Sequence, residues 1–190
     1  MKKVCVYCSA RDSISPMIIE EAKRLGESFH QNQFELVYGG AESGAMGAVA
    51  KTLLSLGGKV SGIFPKDDLK HEKPLEDLKD LVFVDDMWTR KKRMVEESDG
   101  FVVFPGGTGT LDEFFEVLVM RQLSDATKES SIMYNKPIVI LNLFGFWDPM
   151  LEMMQIYSNQ GFIDQTVHEH YHVVESVEEA MATLKKTWKL

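Results

Sequence analysis

The stretch GFVVFPGGTGTLDEFFEVLVM, residues 100–120, decides the fold. Its β-branched and aromatic run, Phe101–Phe104, reads as a buried strand. The run breaks at Pro105-Gly106-Gly107-Thr108-Gly109-Thr110, and an apolar helical pattern over Thr110–Leu123 begins at once. Three glycines in four positions let the backbone turn tightly and come close to a ligand. The helix behind them offers unpaired N–H groups and the positive end of its dipole, so the turn suits an anion such as phosphate. It is not the P-loop of triphosphate hydrolases, because no Gly-Lys-Ser/Thr follows, and it lacks the G-x-G-x-x-G spacing of dinucleotide enzymes. The plain alternative is a strand-to-helix turn that holds no ligand.

Outward from this unit the same alternation recurs. Strands are predicted at Lys3–Tyr7, Phe34–Tyr38, Lys59–Phe64, Leu81–Val84, Phe101–Phe104, Pro137–Leu141 and Tyr171–Val174, and helices at Pro16–Gln31, Gly44–Leu56, Met87–Glu97, Thr110–Leu123, Trp147–Ser158 and Ser176–Lys186. Such alternation predicts βαβ units: an α/β fold, a doubly wound parallel sheet of about seven strands with helices on both faces. At 190 residues, against roughly 150 per domain, a single domain over residues 1–190 is expected. The charged stretch KDDLKHEKPLEDLKD, residues 66–80, is expected to be a solvated loop or surface helix. In sheets of this kind ligands bind beyond the carboxyl ends of the strands.

Asp and Glu number 29 against 21 Lys and Arg, a net charge of −8. That balance argues against a general nucleic-acid or anionic-membrane binder while leaving room for one basic pocket. No run approaches the roughly 20 apolar residues of a membrane span, and the N-terminus MKKVCVYCSA lacks a signal-peptide apolar core, so a cytoplasmic location is expected. Cys5 and Cys8 form a C-x-x-C. Inside a strand their odd spacing sends the thiols to opposite faces, and no His or Cys cluster completes a zinc set, so a structural role is expected.

Four groups of residues could carry chemistry. Glu113 follows Thr110 by three, a spacing that is also a capping box; otherwise its carboxylate, kept ionised by the helix dipole, would face the sugar of a nucleotide. Glu116 lies one turn on, on the same face. A second cluster, Gly39-Gly40-Ala41-Glu42-Ser43-Gly44-Ala45-Met46-Gly47, again joins a strand to a helix; its small residues alternatively serve close helix–sheet packing. Met87-Trp88-Thr89-Arg90-Lys91-Lys92-Arg93-Met94 is a basic cluster in an acidic chain. Periodicity places Arg90 and Lys91 near its Met stripe without choosing between them, and a solvated basic face is the competing reading.

YGG-x-x-x-G-x-MG, then M-x-x-RK-x-x-M, then PGGTGTLDE together resemble the LOG ("Lonely Guy") family of cytokinin riboside 5′-monophosphate phosphoribohydrolases, often mislabelled lysine decarboxylases. The resemblance runs from CVYCSA to QGFI near residue 163. It implies a Rossmann-like homodimer that hydrolyses the N-glycosidic bond of a nucleoside 5′-monophosphate, releasing free base and ribose 5-phosphate. By resemblance the catalytic pair falls on Arg90 and Glu113. The nucleotide-binding loops fall on Gly106, Gly107, Gly109 and Thr110, and on Gly39, Gly40, Gly44, Met46 and Gly47; Ser9, Lys91 and Glu116 are further candidate substrate contacts beside them. Three positions depart from the family pattern: Cys8-Ser9-Ala10-Arg11 replaces CGSS, Ala41 replaces a glycine, and Trp88 stands where His is common.

The chemistry fits independently of the resemblance. Glycosidic cleavage develops positive charge on the ribose, which a fixed carboxylate stabilises, and neither metal nor cofactor is expected. A decarboxylase would need a pyridoxal-phosphate lysine, which no feature marks. The rival from another class is a non-catalytic nucleotide or molybdenum-cofactor carrier, which resembles the same fold but has no need of Arg90 with Glu113. The helix carrying Phe114, Phe115, Val117, Leu118 and Val119, and the segment Met150–Tyr157, are apolar on more than one face, which predicts a twofold homodimer around a small-molecule nucleotide site.

Overall fold

The computed structural model describes residues 1–66, 72–127 and 131–190. In chain order its elements are β1 (Lys3–Tyr7), α1 (Pro16–Gln31), β2 (Glu35–Tyr38), α2 (Gly44–Ser55), β3 (Val60–Pro65), β4 (Asp80–Val84), α3 (Met87–Glu96), β5 (Gly100–Val103), α4 (Thr108–Thr127), β6 (Ile138–Leu141), α5 (Asp148–Asn159), β7 (His172–Val174) and α6 (Val177–Trp188). Seven strands form one sheet in the order β4-β3-β2-β1-β5-β6-β7, every neighbouring pair parallel.

Side-chain alternation along β1 explains the two layers. Val4, Val6 and Cys8 face a cluster that includes Leu25 and Phe29 of α1, Val49 and Leu53 of α2, and Met181 and Leu184 of α6. Cys5 and Tyr7 face the other cluster, with Met94 of α3, Phe114 and Val117 of α4, and Met154 of α5. Both thiols are buried and free, on opposite faces as their spacing predicts. Buried on both sides, the central strands read as nearly continuous apolar runs.

The strand order reverses between β1 and β5: from β1 the chain winds outward to β4, and from β5 it winds the other way to β7. Loops leaving adjacent strands on opposite windings part from one another, so a crevice opens at their carboxyl ends.

Two expectations are corrected. Helix α4 begins at Thr108 instead of Thr110, with Leu111 N–H donating to Gly107 O at 3.0 Å, and it continues to Thr127. In the charged stretch, residues 67–71 lie outside the described residues, and the remainder before β4 is neither a surface helix nor fully solvated. Leu75 and Leu78 are buried there, Leu75 N–H donates to Gly40 O, and Glu42 N–H donates to Lys73 O. Two leucines among eight residues suffice to fasten an otherwise charged segment to the sheet. Among the described residues no helix is long and apolar enough to cross a membrane.

Candidate active site

At the crevice lies a cavity of about 220 Å³, lined by Cys8 to Arg11 after β1, Met46 of α2, Glu72, Met87 and Arg90 of α3, and Gly107 to Thr110, Asp112 and Glu113 at the start of α4. The sequence signals for Ser9, Met46, Arg90, Gly107, Gly109, Thr110 and Glu113 thus converge on one space. Gly106 sits just behind it, where a side chain would press on Thr110. Gly107 and Gly109 have open space where a Cβ would stand, so their freedom is toward the cavity.

Helix α3 is started by Asp86, whose carboxylate accepts from Thr89 N–H at 2.7 Å. This fixes the helix so that Arg90 turns inward, 3% exposed. Its Nε donates to Ile63 O at 3.1 Å and its Nη2 to Gly39 O at 3.0 Å, while Nη1 lies 3.7 Å from the Met87 sulfur. The carbonyl ends of β3 and β2 therefore choose Arg90, the choice periodicity left open. A side chain at Gly39 would collide with the guanidinium, which accounts for that glycine.

Glu113 is 4% exposed. With Gly107 in the N-cap position, Thr110 already lies inside the helix, so the capping-box reading of Thr110 and Glu113 fails. Among the described residues no hydrogen bond ends on its carboxylate and no ion pair joins it to Arg90. Burial pushes its pKa up to about 7; Arg90 and Lys91 pull it down, Asp112 and Glu116 push it up. The expectation of a carboxylate kept ionised by the helix dipole is thereby corrected: desolvation is the larger effect, and the group titrates near neutrality.

Other expected contacts have other roles. Lys91 Nζ is held by Asp112 at 2.9 Å and Glu116 at 3.4 Å, so Lys91 and Glu116 tie α3 to α4 outside the cavity lining. Gly40, Gly44 and Gly47 lie behind the lining. Gly40 has φ +83°, and a Cβ on Gly44 would stand 2.6–2.8 Å from the backbone of Ser9, Ala10 and Arg11. Ala41 is fully buried and bridges to Pro74. Trp88 is 68% exposed on the far side of α3, away from the ligand space.

Sequence reasoning missed Thr108, Asp112, Met87, Ala10 and Glu72 as lining residues, and assigned Cys8 to structure alone. Thr108 and Asp112 stand within the glycine motif and were readable; Glu72 sits in a charge run that carries no positional signal. Burial raises the Cys8 thiol far above its ordinary pKa, which keeps it protonated and weakly nucleophilic.

A cavity at the switch point of a doubly wound sheet, with a helix start as one wall, places the protein among the Rossmann-like α/β proteins. Two solved structures share this fold: the molybdenum cofactor carrier protein of Chlamydomonas reinhardtii (TM-score 0.70, 18% identity, 100% of this chain and 99% of that one) and the molybdenum cofactor binding protein of Rippkaea orientalis (TM-score 0.69, 18% identity, 98% and 97%). The chain belongs to a more closely defined group, since residues 46–184 match the family described as "Possible lysine decarboxylase". It is similar to proteins named cytokinin riboside 5′-monophosphate phosphoribohydrolase from Rhodococcoides fascians (34% identity, 97% of this chain and 89% of that one) and Mycobacterium tuberculosis (33%, 94% and 90%), and to LOG1 of Arabidopsis thaliana (31%, 97% and 82%).

Proposed function

We propose that the protein hydrolyses the N-glycosidic bond of a purine or cytokinin nucleoside 5′-monophosphate to free base and ribose 5-phosphate, as a cytoplasmic homodimer. The observation that carries this reading is a buried, unbonded Glu113 carboxylate lining the same small cavity as a fixed Arg90 guanidinium and the glycine-rich start of α4. The phosphate sits at the helix start, where N–H groups and the dipole favour it. The ribose then lies toward Glu113.

As the C1′–N bond breaks, its electron pair leaves with the base and C1′ becomes cationic. The ionised Glu113 carboxylate stabilises that charge and takes a proton from the attacking water, whose oxygen forms the new bond to C1′. The departing base takes a proton from solvent. A group titrating near 7 suits this role, because both of its protonation states are accessible at neutral pH. Arg90, with its Nε and Nη2 donated to carbonyls, supplies fixed positive charge that favours the ionised carboxylate.

Among the described residues no lysine lines the cavity. The carrier reading rests on fold likeness at 18% identity, against 31–34% to the phosphoribohydrolases. Incubation with a panel of nucleoside monophosphates should release free base and ribose 5-phosphate from purine members. Tight nucleotide binding with no release would favour the carrier.

A further inference from the structure

The cavity carries more negative than positive lining: Glu72, Asp112 and Glu113 against Arg11 and Arg90. A dianionic phosphate entering it, in a chain of net charge −8, needs a cation with donors to spare. Arg90 is largely committed, to Ile63 O, Gly39 O and the Met87 sulfur. Arg11 is not. Its side chain is exposed at the cavity, and among the described residues no hydrogen bond or ion pair engages its guanidinium.

Its backbone, in contrast, is firmly seated. Ser9 O accepts from Met46 N–H at 3.1 Å, Ala10 O accepts from the Ser43 hydroxyl at 2.8 Å, Arg11 N–H donates to Ser9 Oγ at 3.1 Å, and Asp12 Oδ1 accepts from Gly44 N–H at 3.0 Å. The start of α2 is thus occupied by this loop, and Gly44 is small because the loop lies against it. Ser43, Gly44 and Met46 of the second glycine cluster thus seat the backbone on either side of Arg11. Since β1 and β5 are adjacent and parallel, the loops that follow them form facing walls, with Arg11 on one and Gly107 to Gly109 on the other.

We propose that Arg11 takes the 5′-phosphate of the substrate from the side opposite the start of α4, which makes the enzyme subject to inhibition by ribose 5-phosphate. This rests on the reading of the cavity as a nucleoside monophosphate site. A guanidinium fork matches two phosphate oxygens at once, which an ammonium does not.

Calorimetric titration of the whole protein with ribose 5-phosphate, and separately with adenosine, tests the proposal. Arg11→Ala should weaken ribose 5-phosphate binding by about 10- to 100-fold, the range of one charge-assisted contact, and leave adenosine binding unchanged. Arg11→Lys should recover part of the loss. In steady state KM for the monophosphate should rise by a similar factor with kcat within about threefold of the parent, as for a contact made equally in ground and transition states. Unchanged ribose 5-phosphate affinity in Arg11→Ala, or no measurable binding by the parent, would overturn the role of Arg11. Arg11-dependent binding by a protein that releases no base from any monophosphate would uphold Arg11 and overturn the hydrolase reading instead.

Discussion

Glu113 has two opposed consequences at the residue scale. Its pKa rises from 4.5 to about 7 on folding, so between those values the folded state holds a proton that the unfolded chain has lost. Stability from this group is therefore fully present below about pH 4.5 and lost as pH rises through 7, amounting to about 3 kcal/mol at most. Glu113→Gln should raise the melting temperature at pH 8 and lose that advantage at pH 4.5, while turnover falls by roughly 10²–10⁴. A variant that is both stabilised and fully active would return Glu113 to scaffolding. Arg90→Lys should also lose turnover, because an ammonium cannot span Ile63 O and Gly39 O together. The glycine motif was legible in sequence because it combines a residue type with a fixed spacing, whereas Arg90 and Glu113 were singled out by the family resemblance, the pattern alone leaving Arg90 level with Lys91 and Glu113 open to a capping role. The orientation of Arg90 was not, since successive helix positions differ by only about 100° and the carbonyls that select it come from strands distant in the chain.

At the scale of elements, Lys91 on α3 bridges Asp112 and Glu116 on α4, two carboxylates that flank Glu113. The charged and titratable groups around Glu113 are Arg90 and Lys91 from α3, Asp112 and Glu116 from α4, and Cys5, Tyr7 and Cys8 from β1 and the residue after it. Lys91→Met removes the cation and leaves both flanking carboxylates unbalanced, so the rising limb of the pH–rate profile should move above pH 7 while the plateau persists. The double variant Lys91→Met with Glu116→Gln should move it back. An unmoved limb would show that the bridge only fastens helices. The strands and helices themselves were readable to within a residue or two, apart from the end of α4, which runs four residues past the expected Leu123, because apolar periodicity marks them. The start of α4 was not, because glycine and threonine suit a cap and a first turn alike. The segment after residue 72 misled because its many charges hid Leu75 and Leu78, whose burial decides its path.

For the whole molecule, Val119 is half exposed, as are Ile156 and Tyr157, and Leu123 more so, in keeping with the proposed dimer. Phe114, Val117, Leu118, Met150 and Met154 are instead buried within the chain, so only part of the apolar surplus read from sequence is available for a partner. Light scattering should give about twice the 21.6 kDa chain mass, and Val119→Glu should lower both mass and turnover; an active monomer would remove the interface. The strand order has a further consequence, for synthesis on the ribosome. Every lining residue of the cavity lies between Cys8 and Glu113, so the chemical groups emerge before β6 and β7 exist. Until β6 arrives, β5 can pair with β1 on one side only, and its other edge, an apolar strand, stays open. A growing chain that already carries the residues lining the cavity is thus at its most adhesive, and β6 and β7, which contribute nothing to that lining, come last to close the edge.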